Sequence, residues 1–407
     1  MQNDTPATDP ARAEGKAVAE VFRVFLKLGL TAFGGPVAHL GYFRDEFVKR
    51  RGWLDDAGYA DIVALCQFLP GPASSQTGFV IGYLRAGMPG ALAAWLAFTL
   101  PSALFLTLCA LAAGSFDTAL GAALIHALKI VAVAVVAQAV WSMAKTLTPD
   151  APRVGIALGA LVMVMMLPGS LGQMIAIAGG GLLGLVLCKP AASASVQALP
   201  VRLSRSAGIA CLALFTLLLV LPPLLIQTGA GAWAFAFDAF YRAGALVFGG
   251  GHVVLPLLET AFVGAGRLTN DLFLAGYGLA QIVPGPLFTF AAYLGAASQT
   301  GPNGWAGAML GTVAIFLPGL LLVLGALPFW SALRSRLGAR AALQGVNAAV
   351  VGLLAAAFYD PVWTSAIRAP GDFALAATGF ILLVWWKLPP VAVVVAMAFA
   401  GTLYGLA

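Results

Sequence analysis

The sequence predicts an all-α polytopic membrane protein with two inverted-topology repeats and re-entrant or broken helical hairpins, about nine full spans plus four hairpins. Hydrophobic residues make up 61% of the 407 residues and charged residues only 9%, whereas soluble domains carry about 25% charged residues. Besides this composition, long apolar runs and a repeated set of Gly and Pro motifs predict the fold class. Lipid must therefore solvate most of the surface.

Nine apolar runs predict the full spans, because a helix needs about 20 residues to cross a hydrocarbon core about 30 Å thick. They lie at 88–113, 120–145, 153–167, 171–188, 206–228, 303–328, 341–359, 373–386 and 389–406. The regions 21–84 and 235–297 are also apolar, but Gly and Pro interrupt each of them twice. These interruptions predict the four hairpins.

The two interrupted regions are copies of each other. A shift of 215 places Phe33-Gly34-Gly35 on Phe248-Gly249-Gly250. A shift of 214 places Pro70-Gly71-Pro72 on Pro284-Gly285-Pro286. Because the matches keep one order at nearly one offset, we predict this organisation: a cytoplasmic tail over 1–20, a first repeat over 21–188, a cytoplasmic linker over 189–205, a connecting transmembrane helix over 206–228 and a second repeat over 235–407.

The distribution of Lys and Arg predicts the orientation, since these residues collect in cytoplasmic loops. The segment Arg44 to Arg51 and the residue Arg85 are basic and flank 59–84, which must then enter and leave on one side. In the second half the matching segment 256–271 has only Arg267. Five crossings separate matching points of the two halves, and an odd number inverts the second copy. The net charge of +6 therefore reports topology rather than nucleic-acid binding.

A helix that begins inside the membrane presents free N–H groups and a partial positive charge, which attract an anion. Proline favours the first helical position, so Pro72 and Pro286 predict such helix starts. Glycine lets the backbone approach a ligand closely, and hydroxyls in the following turn can donate to an oxyanion or cap their own helix. The predicted substrate-binding residues at the tips are Gly34, Gly35, Gly71, Pro72, Ser74, Ser75, Gly249, Gly250, Gly285 and Thr289.

Charged and amide side chains at membrane depth complete the predicted substrate site, because charges there are costly and usually functional. Lys129 has no acid within one helical turn, so it is expected either to bind the anion or to pair with a distant carboxylate. Residues that match across the repeat or lie at a matching depth are also candidates: Lys27 with Arg242, Gln67 with Gln281, and Asn347 opposite Lys129. Asp238 lies one turn before Arg242 and is positioned to pair with it.

His126, Asp61 and Glu259 are the candidates for proton coupling, because a histidine or a carboxylate near a hairpin can exchange protons. Asp45 and Glu46 lie among basic residues and are expected to form a solvated ion-pair cluster. The sequence contains no nucleotide-binding or hydrolase motif. Its four cysteines and three histidines have no metal-ligand spacing. We therefore predict a protein that is not an enzyme, with no cofactor and no metal, driven by an ion gradient.

The sequence resembles the chromate ion transporter (CHR) family, specifically its long two-domain ChrA type. The resemblance rests on Phe-Gly-Gly-Pro at 33–36, Arg-Asp-Glu at 44–46, Gln-Phe-Leu-Pro-Gly-Pro at 67–72, their versions at 248–251 and 281–286, and Gly-Val-Asn-Ala-Ala-Val at 345–350. It covers nearly all of 21–406. It implies an inner-membrane protein that exports chromate in exchange for protons and confers chromate resistance.

Several alternatives stay open. Sulfate or another oxyanion is an alternative substrate, since a site made of N–H groups separates isosteric dianions poorly. A passive anion channel is an alternative mechanism on the same fold. Gly251 stands where the first tip has Pro36, which argues against a strictly two-fold site. The expected partners are a small inorganic oxyanion and the lipid bilayer, without nucleic acid, and a homodimer is one open arrangement.

Overall fold

A computed structural model describes residues 10–112, 119–189, 203–229, 231–248, 251–333 and 336–406. Across these ranges the regular structure is helical throughout, as the sequence predicted. Six helical segments are long and apolar enough to cross a membrane: Ala73–Ala112, Ala119–Leu147, Ser170–Leu187, Arg205–Gln227, Gly304–Leu333 and Leu337–Ala366. Shorter apolar helices accompany them. The chain is therefore an all-α polytopic membrane protein.

The first repeat contains seven helices, and an eighth connects it to the second repeat. The helices are α1 (Pro10–Thr31), α2 (Gly35–Arg44), α3 (Asp56–Phe68), α4 (Ala73–Ala112), α5 (Ala119–Leu147), α6 (Ala151–Met166), α7 (Ser170–Leu187) and the connecting α8 (Arg205–Gln227). A π-helical turn over Asp45–Arg50 extends α2. Asp55, Asp150 and Ser204 cap the N-termini of α3, α6 and α8 with their side chains, which satisfies N–H groups that a helix start leaves free.

The second repeat contains eight further helices in the same order. They are α9 (Ala232–Leu246), α10 (Val254–Phe262), α11 (Asn270–Ala280), α12 (Phe290–Ala297), α13 (Gly304–Ala326), α14 (Leu337–Ala357), α15 (Pro370–Val384) and α16 (Pro390–Leu406). Short helical turns follow α13 and α14. The pair α12 and α13 corresponds to the two arms of α4, which fold back on each other at Ala86 and Gly87.

The predicted breaks in the hairpins are confirmed at three of the four positions. Gly34 and Gly35 separate α1 from α2 at φ of 97° and 76°. Gly71 separates α3 from α4 at φ of 120°, and its counterpart Gly285 separates α11 from α12 at 98°. Only glycine adopts these values without strain. The fourth predicted break lies between α9 and α10, and its residues Gly249 and Gly250 lie outside the described residues.

The last helices of each repeat pack against the other repeat. The helices α6 and α7 contact α14, and the equivalent α15 and α16 contact α5. Small residues allow this close approach: a Cβ on Gly184 would lie 2.5 Å from the Ala341 carbonyl oxygen, and one on Gly401 would lie 2.9 Å from the Ala127 Cβ. This packing is reciprocal between the two halves, and the predicted inversion takes the second arm of α4 and α5 to α8 as the five crossings between matching points.

Packing at the glycine run 179–181 generates the first testable prediction. A Cβ on Gly180 would lie 2.5 Å from the Ala349 Cβ and 2.8 Å from the Gly345 carbonyl oxygen, whereas one on Gly179 would meet no atom within 4 Å. Gly180→Ala should therefore destabilise the protein by about 1–3 kcal/mol through overpacking. Gly179→Ala should leave stability unchanged or raised, because alanine favours helix. Thermal unfolding in detergent measures both, and equal melting temperatures would contradict the packing.

The inverted orientation generates the second prediction. Reporter fusions that truncate the chain after Gly52 and after Arg267 should report opposite sides of the membrane, because an odd number of crossings separates these matching loops. A pair of reporters, one active only in the cytoplasm and one only outside it, makes the measurement. Fusions reporting the same side would show that the halves are parallel.

Candidate functional site at the four hairpin tips

The hairpin tips of the two repeats meet through a reciprocal pair of backbone hydrogen bonds. The Gly71 N–H donates to the Val247 carbonyl at 2.7 Å, and the Gly285 N–H donates to the Ala32 carbonyl at 2.9 Å. Gly71 and Gly285 match at the shift of 214, and Ala32 and Val247 match at 215. The two bonds are therefore one contact made twice, each time between different halves. Gly251 also lies against Pro36, since a Cβ added to this glycine would be 3.7 Å from the proline ring.

These bonds correct one expectation. Free N–H groups at the tips were expected to attract an anion, but those of Gly71 and Gly285 each donate to a carbonyl. The physical reason lies at the ends of α1 and α9. The last carbonyls of a helix have no partner within it, and Ala32 and Val247 directly follow these helix ends. The opposite tip supplies the missing donors. Whether Gly71, Pro72 and Gly285 line the substrate path stays a prediction.

The predicted hydroxyls have three different environments. Ser74 lies 3.3 Å from His39 Nδ1, and His39 Nε2 lies 3.1 Å from the Ala32 carbonyl oxygen, so this histidine links two tips. The Thr289 hydroxyl donates to the Pro286 carbonyl at 2.7 Å, so its proton is already used, and the side chain caps no helix N–H. Ser75 is 2% exposed, and its hydroxyl has no hydrogen-bond partner among the described residues. Ser75 therefore keeps the capacity to donate to a ligand.

Lys129 is buried but not alone. Only 1% of its side chain is exposed, and its Nζ lies 2.5 Å from Asp271 Oδ1. Of the two expectations, pairing with a distant carboxylate is the one observed, because α11 places a carboxylate from 142 residues away next to α5; a part of Lys129 in anion binding stays a prediction. The Asp271 side chain is 55% exposed, so solvent or an incoming ion can reach the outer end of the pair.

The pair Lys27 and Arg242 differs between the repeats. Arg242 forms the expected ion pair with Asp238 at 2.8 Å. It also lies 3.3 Å from the Leu219 carbonyl oxygen, whose helical donor is missing because Pro223 has no N–H. Lys27 is exposed on α1. Arg242 therefore stabilises the contact between α8 and α9, and its charge is compensated.

The remaining predicted substrate residues are dispersed. Gly34 and Gln67 are exposed, and Gly35 is half-buried. Gln281 and Asn347 are half-buried, and each has one buried side-chain atom without a hydrogen-bond partner among the described residues. The structure brings Ser74, Ser75, Gly71 and Gly285 into the region of the tips, while Lys129 and Arg242 lie in separate ion pairs. Their roles in binding stay predictions.

Two of the three proton-coupling candidates are hydrogen-bonded to polar groups. His126 Nε2 lies 3.0 Å from Asp372 Oδ1, and Asp61 accepts a hydrogen bond from Trp330 Nε1 at 2.9 Å. Glu259 lies within electrostatic range of Asp360. His126 therefore joins α5 to α15, and Asp61 joins α3 to the helical turn that follows α13. Their part in proton movement stays a prediction.

The cluster around Asp45 is a set of ion pairs, as expected. Lys49 lies 2.7 Å from Asp45, and Arg50 lies 2.6 Å from Glu46. The hydrogen bond and charge of Lys49 lower the pKa of the Asp45 carboxyl. Asp45 therefore stays ionised at neutral pH and is unsuited to carrying protons.

A comparison with known protein families finds the same family unit twice in the chain, in agreement with the duplicated tips. The profile described as "Chromate transporter" matches residues 19–185 and matches again at 233–402. The chain belongs to the chromate transporter family. It has the long form of this family, with two copies of the family unit in one chain. No solved structure matches this member of the family.

Three curated relatives align with nearly the whole chain. A chromate transport protein of Pseudomonas aeruginosa is 31% identical over 98% of this chain and 95% of its own length. A chromate transport protein of Cupriavidus metallidurans is 28% identical over 93% and 90%. A probable chromate transport protein of Synechococcus elongatus is 27% identical over 95% and 96%. These relatives are transporters, which supports a transport protein rather than an enzyme.

Sequence reasoning missed His39, Gln76 and Asp271. Gln76 is fully buried, and its amide donates to the carbonyls of Pro70 and Gly319, which fixes the second tip against α13. A search for polar residues just after the Pro-Gly-Pro motif would have found Gln76. His39 does not match a histidine in the second repeat, and Asp271 is far from Lys129 in sequence, so neither had a local signal.

The ion pair of Lys129 generates the third prediction. Asp271→Ala should destabilise the protein by about 3–5 kcal/mol, because it leaves a buried ammonium without its partner. Lys129→Met should cost less, since the carboxylate that remains is half exposed. Thermal unfolding in detergent compares the two variants. The pair has no structural role if Asp271→Ala melts like the unmodified protein.

Proposed function

We propose that the chain is a secondary active transporter that exports chromate across the inner membrane, in exchange for protons, and so confers chromate resistance. The observation that carries the proposal is the reciprocal contact of the four interrupted helices, in which Gly71 and Gly285 each reach across to the opposite repeat. Secondary transporters build their sites from discontinuous helices at the interface of inverted repeats. Membership of the chromate transporter family supports chromate as the substrate.

Alternating access follows from the inverted pair. Each repeat contributes one half of the tip contact, and each is completed by helices of the other, since α14 packs on α6 and α7 while α16 packs on α5. Two halves related in this way can exchange their conformations, so the same tips face one side and then the other. Rocking of one half against the other then moves the anion without a continuous pore.

The low dielectric of the membrane explains why the site needs polar groups. An anion loses its hydration on entering, and only hydrogen-bond donors or cations replace it. Buried hydroxyls at the tips provide donors, and Lys129 provides a cation that the anion must share with Asp271. For protons, the proposed groups are His126, Asp61 and Glu259, of which His126 and Asp61 are hydrogen-bonded to Asp372 and Trp330.

Two alternatives differ from this proposal in measurable ways. Sulfate or another oxyanion would replace chromate as the substrate if the site responds to shape and charge alone. A passive channel would move the anion down its gradient without coupling. The repeated breaks in the helices favour a transporter, because a channel does not need two exchangeable halves.

Transport by everted membrane vesicles provides the fourth prediction. Vesicles that contain the protein should accumulate chromate when a pH gradient, acid inside, is imposed, because everted vesicles turn export into uptake. Vesicles without the protein are the control. Failure to accumulate chromate under any gradient would exclude export.

The same assay separates the alternatives. Collapse of the pH gradient should stop accumulation by an exchanger, whereas a channel would still equilibrate chromate at the same initial rate. Excess sulfate that abolishes chromate uptake would favour a general oxyanion site. Growth on chromate, with and without the gene, tests resistance separately.

A further inference from the structure

The two repeats match in backbone but not in polarity at the tips. At the shift of 214, Ser74 and Gln76 match Phe288 and Phe290, and at the shift of 217, which aligns Pro101 with Pro318, Thr99 matches Phe316. All six side chains are at most 2% exposed. The first repeat thus buries polar groups where the second repeat buries phenyl rings.

Four buried polar atoms on α4 lack a hydrogen bond among the described residues; one is Trp95 Nε1 and the other three belong to fully buried side chains. Ser75 Oγ, Gln76 Oε1 and Thr99 Oγ1 are buried and have no partner among the described residues. An unsatisfied buried polar group costs about 1–3 kcal/mol, so these three atoms, two on the first arm of α4 and one on the second, require an explanation. Their side chains are 2%, 0% and 2% exposed.

The sequence neighbours of Ser75 and Thr99 contact residues of the tips. The His39 ring packs edge-on against Phe98, next to Thr99, at 5.3 Å, and His39 also contacts Ser74, next to Ser75. Gly285 approaches the other side of α4, where a Cβ would lie 3.1 Å from both the Phe98 carbonyl oxygen and Ser102 Oγ. Residues of the first and fourth tips therefore contact α4 directly beside Ser75 and Thr99.

The equivalent region of the second repeat is filled. Phe316 packs against Phe288 at 5.7 Å and against Trp95 of the first repeat at 5.9 Å. The hydroxyl of Thr289, which matches Ser75, is bound to Pro286. This region offers apolar surface and no spare donor at these positions.

We propose that the chain holds one oxyanion per molecule, in the first repeat only, at a site formed by Ser75, Gln76 and Thr99. The second repeat seals the other side with Phe288, Phe290 and Phe316. This inference rests on the proposed function for the identity of the anion. It replaces a two-fold arrangement of four equivalent tips with a single asymmetric site made of neutral groups.

The chemistry of the three atoms also defines the form of the anion. The two hydroxyls can donate, whereas Gln76 Oε1 can only accept, because the amide nitrogen already donates to Pro70 and Gly319. A ligand that satisfies all three must accept and also donate. A hydrogen-bearing oxyanion, such as hydrogen chromate, does both, while fully deprotonated sulfate only accepts. A site that hydrogen-bonds a ligand hydroxyl strongly rejects analogues that lack this hydroxyl.

The experiment is chromate binding to the purified full chain in detergent, without any gradient. Ser75→Ala and Thr99→Val should each weaken binding by about 10- to 100-fold, because each removes one hydrogen bond to a charged ligand. Thr107→Val is the matched control, since Thr107 is an equally buried threonine of α4 whose hydroxyl bonds to its own helix. It should bind chromate as the unmodified protein does. Thermal unfolding of each variant separates lost binding from lost folding.

Sulfate and inorganic phosphate serve as competitors in the same assay. Phosphate, which carries a proton at neutral pH, should displace chromate at lower concentration than sulfate. Binding by both folded variants that equals the unmodified protein would overturn the site, and stronger competition by sulfate would overturn the hydrogen-bearing ligand. Normal chromate binding without vesicle transport would instead overturn the exporter and leave the site standing.

Discussion

The fold depends on one constraint: a helix that ends inside lipid must find partners for its last carbonyls. Water is absent there, and an unsatisfied backbone group costs several kcal/mol. The ends of α1 and α9 meet this requirement through Gly285 and Gly71 of the opposite repeat. Each half therefore provides the hydrogen-bond donor for a helix-end carbonyl of the other half. The left-handed glycines, the close helix contacts and the inverted arrangement all serve to bring these groups together.

The duplicated backbone has not preserved a duplicated site. The glycines that shape the tips recur in both repeats, because they meet the same steric requirement twice. Side chains around them differ: Arg242 is compensated by Asp238 while Lys27 is exposed, and His39 links two tips in the first repeat only. A backbone constraint acts on both copies, whereas a single transported ion needs only one set of ligands.

Much of this architecture could be predicted from the sequence, and the limits have physical causes. The breaks at Gly34, Gly71 and Gly285 were predictable because glycine and proline act locally on the backbone. The partner of Lys129 was not, since α11 supplies it from a distant part of the chain. The use of the Gly71 and Gly285 N–H groups also depends on tertiary contacts. Hydrophobic periodicity and charge indicate which segments are buried, but they do not indicate which side chains and backbone groups contact each other in the folded protein.

The crossed packing of the terminal helices affects the order in which the protein assembles. The helices α6 and α7 rest on α14, whose residues Gly345 and Ala349 touch Gly180. When the ribosome has completed only the first repeat, these two helices lie in the bilayer without their main neighbour. The packing of α6 and α7 is therefore incomplete until α14, which ends at residue 357, has been translated. The contacts of α6 and α7 with α14 can therefore form only after most of the second repeat has been synthesised.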